Sequence, residues 1–97
     1  MTMLEKDIEK RVCDYAKEKG VLVYKFTSPN RAAVPDRLFI IPFSGMFFIE
    51  FKQFGKKATP QQEREHQRLR QAGVTVYVID DVEVGKAMID HECKTNS

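Results

Sequence analysis

The sequence is poor in the residues that build zinc sites and disulfides. Among 97 residues there are two cysteines and two histidines. Cys13 and Cys93 lie far apart, and neither His66 nor His91 has a histidine or cysteine partner at the spacing of zinc ligands. We therefore expect no zinc site, and we expect both cysteines to be free thiols in a reducing compartment.

Long apolar runs are also missing. The longest, Leu38–Phe43, is interrupted by Pro42 and falls well short of the roughly 18–20 residues that a membrane span needs. The N-terminus is charged from Glu5 onward, so we expect no signal peptide. No glycine-rich phosphate loop is present, so the use of a nucleoside triphosphate is not indicated. The expectation is a cytoplasmic protein with a single domain, residues 1–97.

The charges are distributed unevenly along an otherwise ordinary globular composition. Hydrophobic residues make up 42% and charged residues 31% of the chain. Residues 25–70 carry nine Lys or Arg against four Asp or Glu, a net charge of +5, whereas residues 80–97 carry two against five, a net charge of −3. A basic centre suits a polyanion such as DNA, although a merely solvated basic surface would look the same.

Hydrophobic spacing and turn residues predict an α/β domain with the element order αβββαβα. The first predicted helix has a capping box at Thr2–Glu5 and ends at Gly20. The second has a capping box of Thr59 and Gln62, Pro60 at its first position and Gly73 at its end, and the last, at about Val82–His91, is capped by Asp80 and Asp81. Strands are predicted at Val21–Phe26, Asp36–Ile41, Met46–Gln53 and Val74–Ile79. Three consecutive strands followed by a helical crossover to a fourth imply a mixed four-stranded sheet flanked by helices. The fourth strand is apolar almost throughout, which predicts that it is covered on both faces.

The second helix is unusually polar. Between Gln61 and Gln71 only Leu69 is strongly apolar, so this helix either faces solvent or meets a polar partner. Arg64 and Arg68 stand one turn apart and share a face. That face is either simply solvated or a ridge that contacts phosphate.

Two acidic residues interrupt apolar surroundings. Asp36 begins the second predicted strand, and Glu50 lies inside the third, fourteen residues later. With the hairpin turn centred near Ser44, Asp36 lies eight positions before the turn and Glu50 six after it, so the two carboxylates can converge. Side chains alternate across a strand, which places Lys52 on the same face as Glu50.

Convergent carboxylates favour a divalent cation. A buried carboxylate is costly unless it is paired or metal-bound, and two carboxylates repel each other. Mg²⁺ is commonly held by one or two carboxylates together with water and substrate phosphate. Lys52 could then orient or deprotonate an attacking water and offset transition-state charge. The alternative is that Glu50 and Lys52 form only an ion pair on an exposed strand.

The motif Val34-Pro35-Asp36-Arg37, followed by Phe48-Ile49-Glu50-Phe51-Lys52, resembles the PD-(D/E)xK nuclease motif. Together with Glu9, the Thr59-Pro60-Gln61-Gln62 stretch and the Ala72-Gly73-Val74 turn, the chain resembles a stand-alone VRR-NUC (virus-type replication-repair nuclease) domain of phage and bacteria. This resemblance implies a restriction-endonuclease-like core. It also implies a Mg²⁺- or Mn²⁺-dependent endonuclease that acts on branched DNA, including four-way (Holliday) junctions, as a homodimer.

The resemblance also implies roles for individual residues. Asp36, Glu50 and the backbone carbonyl of Phe51 would hold the metal, and Lys52 would be the catalytic lysine. Glu9 would face the site from the first helix and contribute to metal or water binding, the alternative being a surface position. Gln62 is either a capping residue, an active-site residue, or both. His66, one turn past Gln62, could lie near the substrate, although a non-catalytic role is favoured.

DNA phosphate is expected to contact the basic residues of the middle segment: Lys25, Arg31, Arg37, Lys56, Lys57, Arg64 and Arg68. The chain departs from the family pattern at Ala32 and Ala33, where a glycine is expected shortly before the Pro-Asp step. Glycine there would permit unusual dihedral angles, so the departure concerns the geometry of this loop.

A symmetric dimer would place two active sites on one branched substrate. Phe43, Met46 and Phe47 around the hairpin are candidates for its interface. A helicase or a replication protein is left open as a further partner. Two other functions remain: a non-catalytic DNA-binding module of the same fold, and an endonuclease that reads a duplex sequence.

Overall fold

A computed structural model describes residues 2–95 of the chain. Its elements are α1 (Glu5–Glu18), β1 (Leu22–Lys25), β2 (Arg37–Ile41), β3 (Gly45–Phe51), α2 (Pro60–Gln71), β4 (Val76–Ile79) and α3 (Val82–Thr95). The strands form one sheet in the order β1-β2-β3-β4, in which β4 runs parallel to β3 and the other neighbours are antiparallel. The predicted αβββαβα order and mixed four-stranded sheet are confirmed. No described helix is long and apolar enough to cross a membrane.

One face of the sheet forms the core with α1 and α3. The apolar positions of α1 recur one turn apart, and Ile8, Val12 and Ala16 are all fully buried. They pack against alternate residues of the strands and against Ile89 of α3. The sheet residues in this cluster are Phe39, Phe47, Ile49, Phe51 and Ile79. Phe47 is therefore a core residue, and its predicted place in a dimer interface is wrong.

The opposite face is only partly covered. Near β4 it meets α2, which buries Glu65 and His66 there. Toward the β1 edge and the β2–β3 hairpin, Leu22, Tyr24 and Met46 remain 47%, 53% and 58% exposed. The domain thus has one sealed face and one face that is half open.

The start of α1 differs from the prediction. Leu4 is the N-cap residue, and its side chain makes no capping hydrogen bond. The capping box predicted at Thr2–Glu5 is wrong because Glu5 is the first helical residue, whereas a capping box needs its acidic or amide side chain at the third. At the other end Gly20, with φ of +82°, ends the helix as predicted.

The β2–β3 turn lies one residue earlier than predicted. Ser44 N–H donates to the carbonyl of Ile41 at 3.0 Å, and Phe43 adopts φ of +63°. Strand pairing from Ile41↔Gly45 out to Arg37↔Ile49 centres the hairpin on Phe43. Asp36 and Glu50 are then each seven positions from the centre, so one further step of this register sets them opposite each other.

Several other boundaries shift for local reasons. β3 ends at Phe51 rather than Gln53, because β4 ends at Ile79 and offers Lys52 N–H its last carbonyl. β4 begins at Val76 rather than Val74, since Val74 N–H still bonds the carbonyl of Leu69 at the end of α2. Only the first and last residues of β4 are buried, so the prediction of full cover on both faces is wrong. α3 continues past His91 to Thr95.

Gly85 of α3 packs directly against Val12 of α1. A Cβ added there would lie 2.5 Å from Cγ2 of the fully buried Val12. Alanine normally stabilises a helix interior by about 1 kcal/mol over glycine, whereas overpacking a core costs about 1–3 kcal/mol. We expect Gly85→Ala to lower the free energy of unfolding, as measured by urea denaturation. Val12→Ala removes the clashing methyl groups, so the double variant should lose less stability than the two single losses combined; strict additivity would contradict the clash.

Candidate active site

Asp36 and Glu50 form the centre of the site on the α2 side of the sheet. Asp36 Oδ2 accepts a hydrogen bond from Phe51 N–H at 2.9 Å, which fixes the Asp36 carboxylate beside β3. Glu50 is only 3% exposed, which rules out an ion pair on an exposed strand. Burial, and next the charge on Asp36, raises the pKa of Glu50 to about 8. The pair therefore holds a proton at neutral pH in the metal-free protein.

Lys52, just after the end of β3, lies on the same side of the sheet as Glu50. Its backbone N–H donates to the carbonyl of Ile79 at 2.9 Å, which ties it to the end of the sheet. Its positive charge partly opposes the rise in the pKa of Glu50, so the ammonium lies within electrostatic reach of the two carboxylates. Between them, the Phe51 side chain is buried in the core and leaves its backbone beside Asp36.

Gln62 caps α2 and also contacts Glu50. Its Oε1 accepts from Thr59 N–H at 2.9 Å while Thr59 Oγ1 accepts from Gln62 N–H at 3.1 Å, so the predicted capping box is confirmed. Its Nε2 also donates to Glu50 Oε2 at 3.3 Å. The start of α2 is thereby attached to the carboxylate pair, although a direct part of Gln62 in catalysis remains a prediction.

His66 lies on the same face of α2, one turn further along. It is completely buried, and its Nε2 lies 3.7 Å from Glu50 Oε1. Burial, and then the charge of Arg70, lowers the pKa of His66, so the imidazole is neutral. The sequence analysis placed His66 one turn past Gln62 but predicted neither its burial nor its contact with Glu50, because a nearly all-polar helix does not show which face meets the sheet.

α1 contributes two glutamates with different surroundings. Glu9 Oε2 accepts from Arg37 Nε at 2.7 Å, and this bond raises the pKa of Arg37. Glu5, one turn earlier, has its own pKa raised by partial burial and then by the charge of Asp36. The structure therefore places Glu9 in an ion pair beside the site and Glu5 within electrostatic reach of Asp36. The sequence analysis did not single out Glu5, and a direct role for Glu9 stays a prediction.

The predicted DNA-contacting residues fall into separate groups. Arg31, Arg64 and Arg68 line one cleft of about 480 Å³ beside the first turns of α2. Arg31 is also bound there by Glu65, with 3.1 Å and 2.9 Å from its Nε and Nη2 to Oε1. Lys56 and Lys57 line a second pocket on the other side of Pro60.

The other two basic residues do not join these clefts. Lys25 is exposed on β1, at the far edge of the sheet, and Arg37 is held by Glu9. In the loop before Asp36, Ala33 takes φ of +66°, a left-handed conformation that alanine rarely adopts. Ala33 lies in the stretch, shortly before the Pro-Asp step, in which the resemblance predicts a glycine.

The residues present fit a hard divalent cation, though not as a site made of side chains alone. Within residues 2–95 no three His, Cys, Asp or Glu side chains are grouped as metal ligands. Asp36 and Glu50 supply two carboxylates, and Glu50 Oε1 is buried without a hydrogen-bond partner. A buried carboxylate oxygen of this kind is suited to a cation that takes its remaining ligands from backbone carbonyl, water and substrate phosphate, as Mg²⁺ does.

Comparison with known proteins agrees with this geometry. No family model matches the chain. The protein is 40% identical over 84 residues to "Putative nuclease p44" of Acyrthosiphon pisum secondary endosymbiont phage 1, a match covering 87% of this chain and 90% of that protein. Its fold is similar to a solved structure described as a VRR_NUC domain, with a TM-score of 0.85 and 31% identity, covering 92% of this chain and 97% of the other. The chain is a nuclease and belongs to the phage-type VRR-NUC family.

Proposed function

We propose that this nuclease is a divalent-metal-dependent DNA endonuclease whose catalytic centre is Asp36, Glu50 and Lys52. The observation that carries the proposal is Glu50, buried beside Asp36 with a pKa raised to about 8 and one oxygen unpartnered. Two carboxylates facing a polyanionic substrate would repel it unless a cation lies between them. A module that only binds DNA has no use for such a pair.

Mg²⁺ or Mn²⁺ fits the pair, held by Asp36, Glu50 and the backbone carbonyl of Phe51. Such an ion, when bound, lowers the pKa of a bound water and polarises a phosphoryl oxygen. Lys52 is the catalytic lysine of the proposal: its ammonium would orient the attacking water and offset charge on the phosphate. Gln62 would hold Glu50 in place, and the N-terminus of α2 beside it favours an anionic phosphate.

DNA would run along α2 and contact phosphates through the cleft of Arg31, Arg64 and Arg68 and through Lys56 and Lys57. These are backbone contacts without base readout, so they suit an enzyme that selects structure rather than sequence. Arg37 could contact DNA phosphate only if its ion pair with Glu9 breaks. Lys25 could do so only if the DNA extends to the β1 edge of the sheet.

Charge removal from the α2 cleft should weaken DNA binding uniformly. We expect Arg64→Ala with Arg68→Ala to lower affinity for every DNA tested and to reduce the slope of log affinity against log salt by about 2, one for each lost phosphate contact. Fluorescence anisotropy across a salt series measures this. Arg11→Ala with Lys17→Ala, at two exposed positions of α1, removes the same number of charges and is the matched control. An unchanged slope would show that DNA takes another path.

We further propose a homodimer that acts on branched DNA such as four-way junctions. The half-open sheet face supports it, because Leu22, Tyr24 and Met46 are exposed there and Phe43 protrudes from the hairpin. Monomeric proteins rarely leave a large contiguous apolar patch uncovered. A helicase or replication protein bound on that face is the competing occupant, and sedimentation of the isolated chain separates the two.

End-labelled DNA of one sequence context tests the whole proposal. An immobile four-way junction, a flap and a linear duplex are incubated with Mg²⁺, Mn²⁺ or EDTA. Symmetric cuts on the junction, abolished by EDTA, are the expected result. Equal cutting of the duplex at a fixed sequence would favour a sequence-reading endonuclease, and binding without cutting of any substrate would leave a DNA-binding module.

A further inference from the structure

Three polar atoms in the interior lack partners within the described part of the chain: Nδ1 and Nε2 of His66 and Oε1 of Glu50. His66 Nε2 and Glu50 Oε1 face each other at 3.7 Å, which is longer than a hydrogen bond. Buried polar groups are nearly always paired, so two unpartnered groups aimed at each other require an explanation. A residue kept only to fill space would be apolar.

The second oxygen of the same carboxylate is already held. Glu50 Oε2 accepts from Gln62 Nε2 at 3.3 Å. Gln62 and His66 stand one turn apart, so α2 presents one side chain to each oxygen of Glu50. The helix start is fixed in turn by the Thr59 capping box.

The donor and acceptor groups of the two side chains are complementary. A neutral imidazole carries one N–H donor, and with the proton on Nε2 this donor points at Glu50 Oε1. A carboxylate that binds a cation keeps free lone pairs, and these accept such a donor strongly.

Resting on the proposed function, we propose that His66 is a positioning residue that donates from Nε2 to the Glu50 carboxylate in the metal-bound protein and so orients Glu50 toward the cation. Residues that hydrogen-bond metal ligands in this way typically contribute 10–100-fold to metal affinity or activity. His66 touches neither substrate nor metal in this role. It acts only through Glu50.

Calorimetric titration of Mn²⁺ into the protein without DNA tests the proposal. His66→Leu should bind Mn²⁺ about 10–100-fold more weakly than wild type, and its metal-free urea midpoint should be no lower, because leucine removes two unpartnered polar atoms. His66→Gln, whose amide can still donate, should recover most of the affinity. His91→Leu, at an exposed position of α3, is the matched control and should bind as wild type does.

A second measurement needs no variant. Nitrogen-15 NMR of the wild-type imidazole should report the tautomer protonated at Nε2, and its resonances should shift when Ca²⁺ is added. An Nδ1–H tautomer, or resonances of His66 that ignore the cation, would overturn the proposal even if His66→Leu fails to fold. Equal Mn²⁺ affinity in His66→Leu and wild type would also overturn it.

The outcomes distinguish this proposal from the one on which it rests. If wild type binds Mn²⁺, His66→Leu binds it more weakly, and wild type cuts no DNA, only the proposed endonuclease activity is contradicted. A wild type that cuts DNA, with His66→Leu binding Mn²⁺ normally, would contradict the role of His66 alone. A wild type that binds no divalent cation would contradict both.

Discussion

At pH 8 and without divalent metal, Glu50→Gln should be more stable than wild type, and it should neither bind Mn²⁺ nor cut DNA. Folding raises the pKa of Glu50 from 4.5 to about 8. The native state therefore binds a proton that the unfolded state has released, and the free energy of unfolding falls as pH rises from about 4.5 to 8. Glutamine resembles the protonated acid and avoids this loss. We expect a gain on the order of 4 kcal/mol at pH 8 that vanishes toward pH 4.5.

Urea denaturation across this pH range measures the gain, and calorimetry and labelled DNA measure the two losses. Glu18→Gln is the matched control, since Glu18 is exposed near the end of α1 and its loss of charge should leave all three quantities unchanged. Addition of Mn²⁺ should stabilise wild type and leave Glu50→Gln unaffected. A Glu50→Gln protein that is less stable than wild type at pH 8 would mean that the buried carboxylate is stabilised as an anion in the fold.

Lys52→Ala should cut DNA about 10²–10⁴-fold more slowly than wild type, the usual range when a group that orients or activates the nucleophile is removed. Its fold and its Mn²⁺ binding should survive. The reason is that the backbone of Lys52, rather than its side chain, makes the bond to Ile79, and its side chain is not among the proposed metal ligands. Loss of rate with retained metal affinity therefore separates Lys52 from Asp36 and Glu50, whose removal should cost both.

Single-turnover cleavage at saturating Mg²⁺ measures the rate. Lys17→Ala, an exposed lysine in the last turn of α1, removes the same charge elsewhere and should cut at the wild-type rate. If Lys52→Ala cut DNA within tenfold of wild type, Lys52 would not be the catalytic lysine. A parallel loss in Lys17→Ala would instead indicate a general effect of net charge on DNA binding.

The features predicted well from the sequence are those decided by residues close along the chain. Thr59 and Gln62, with Pro60 between them, were predicted to form a capping box within four residues, and Thr59 and Gln62 do so in the structure. Asp36 and Glu50 meet because a hairpin of near-equal arms connects them, and a turn misplaced by one residue did not separate them. Here local rules of turn and strand alternation are sufficient.

What the sequence left undecided depends on how elements pack. The polar α2 gave no sign of which face meets the sheet, so the burial of Glu65 and His66 was not predicted. Glu5 and Glu9 share a face of α1 at one-turn spacing, and only the position of the helix along the sheet decides which one lies nearer Asp36. Phe47 was misjudged because an apolar residue in a hairpin can point either to the core or outward.

The central claim is that Asp36 and Glu50 form a cation site that exchanges a proton for a metal ion. Calorimetric Mn²⁺ titrations at pH 7, in buffers of different ionisation enthalpy, count the protons released on binding. Because the pKa of Glu50 is about 8 in the metal-free protein, the account predicts close to one proton released per ion at pH 7 and far fewer at pH 9. Binding without proton release, or with equal release from Glu50→Gln, would contradict it.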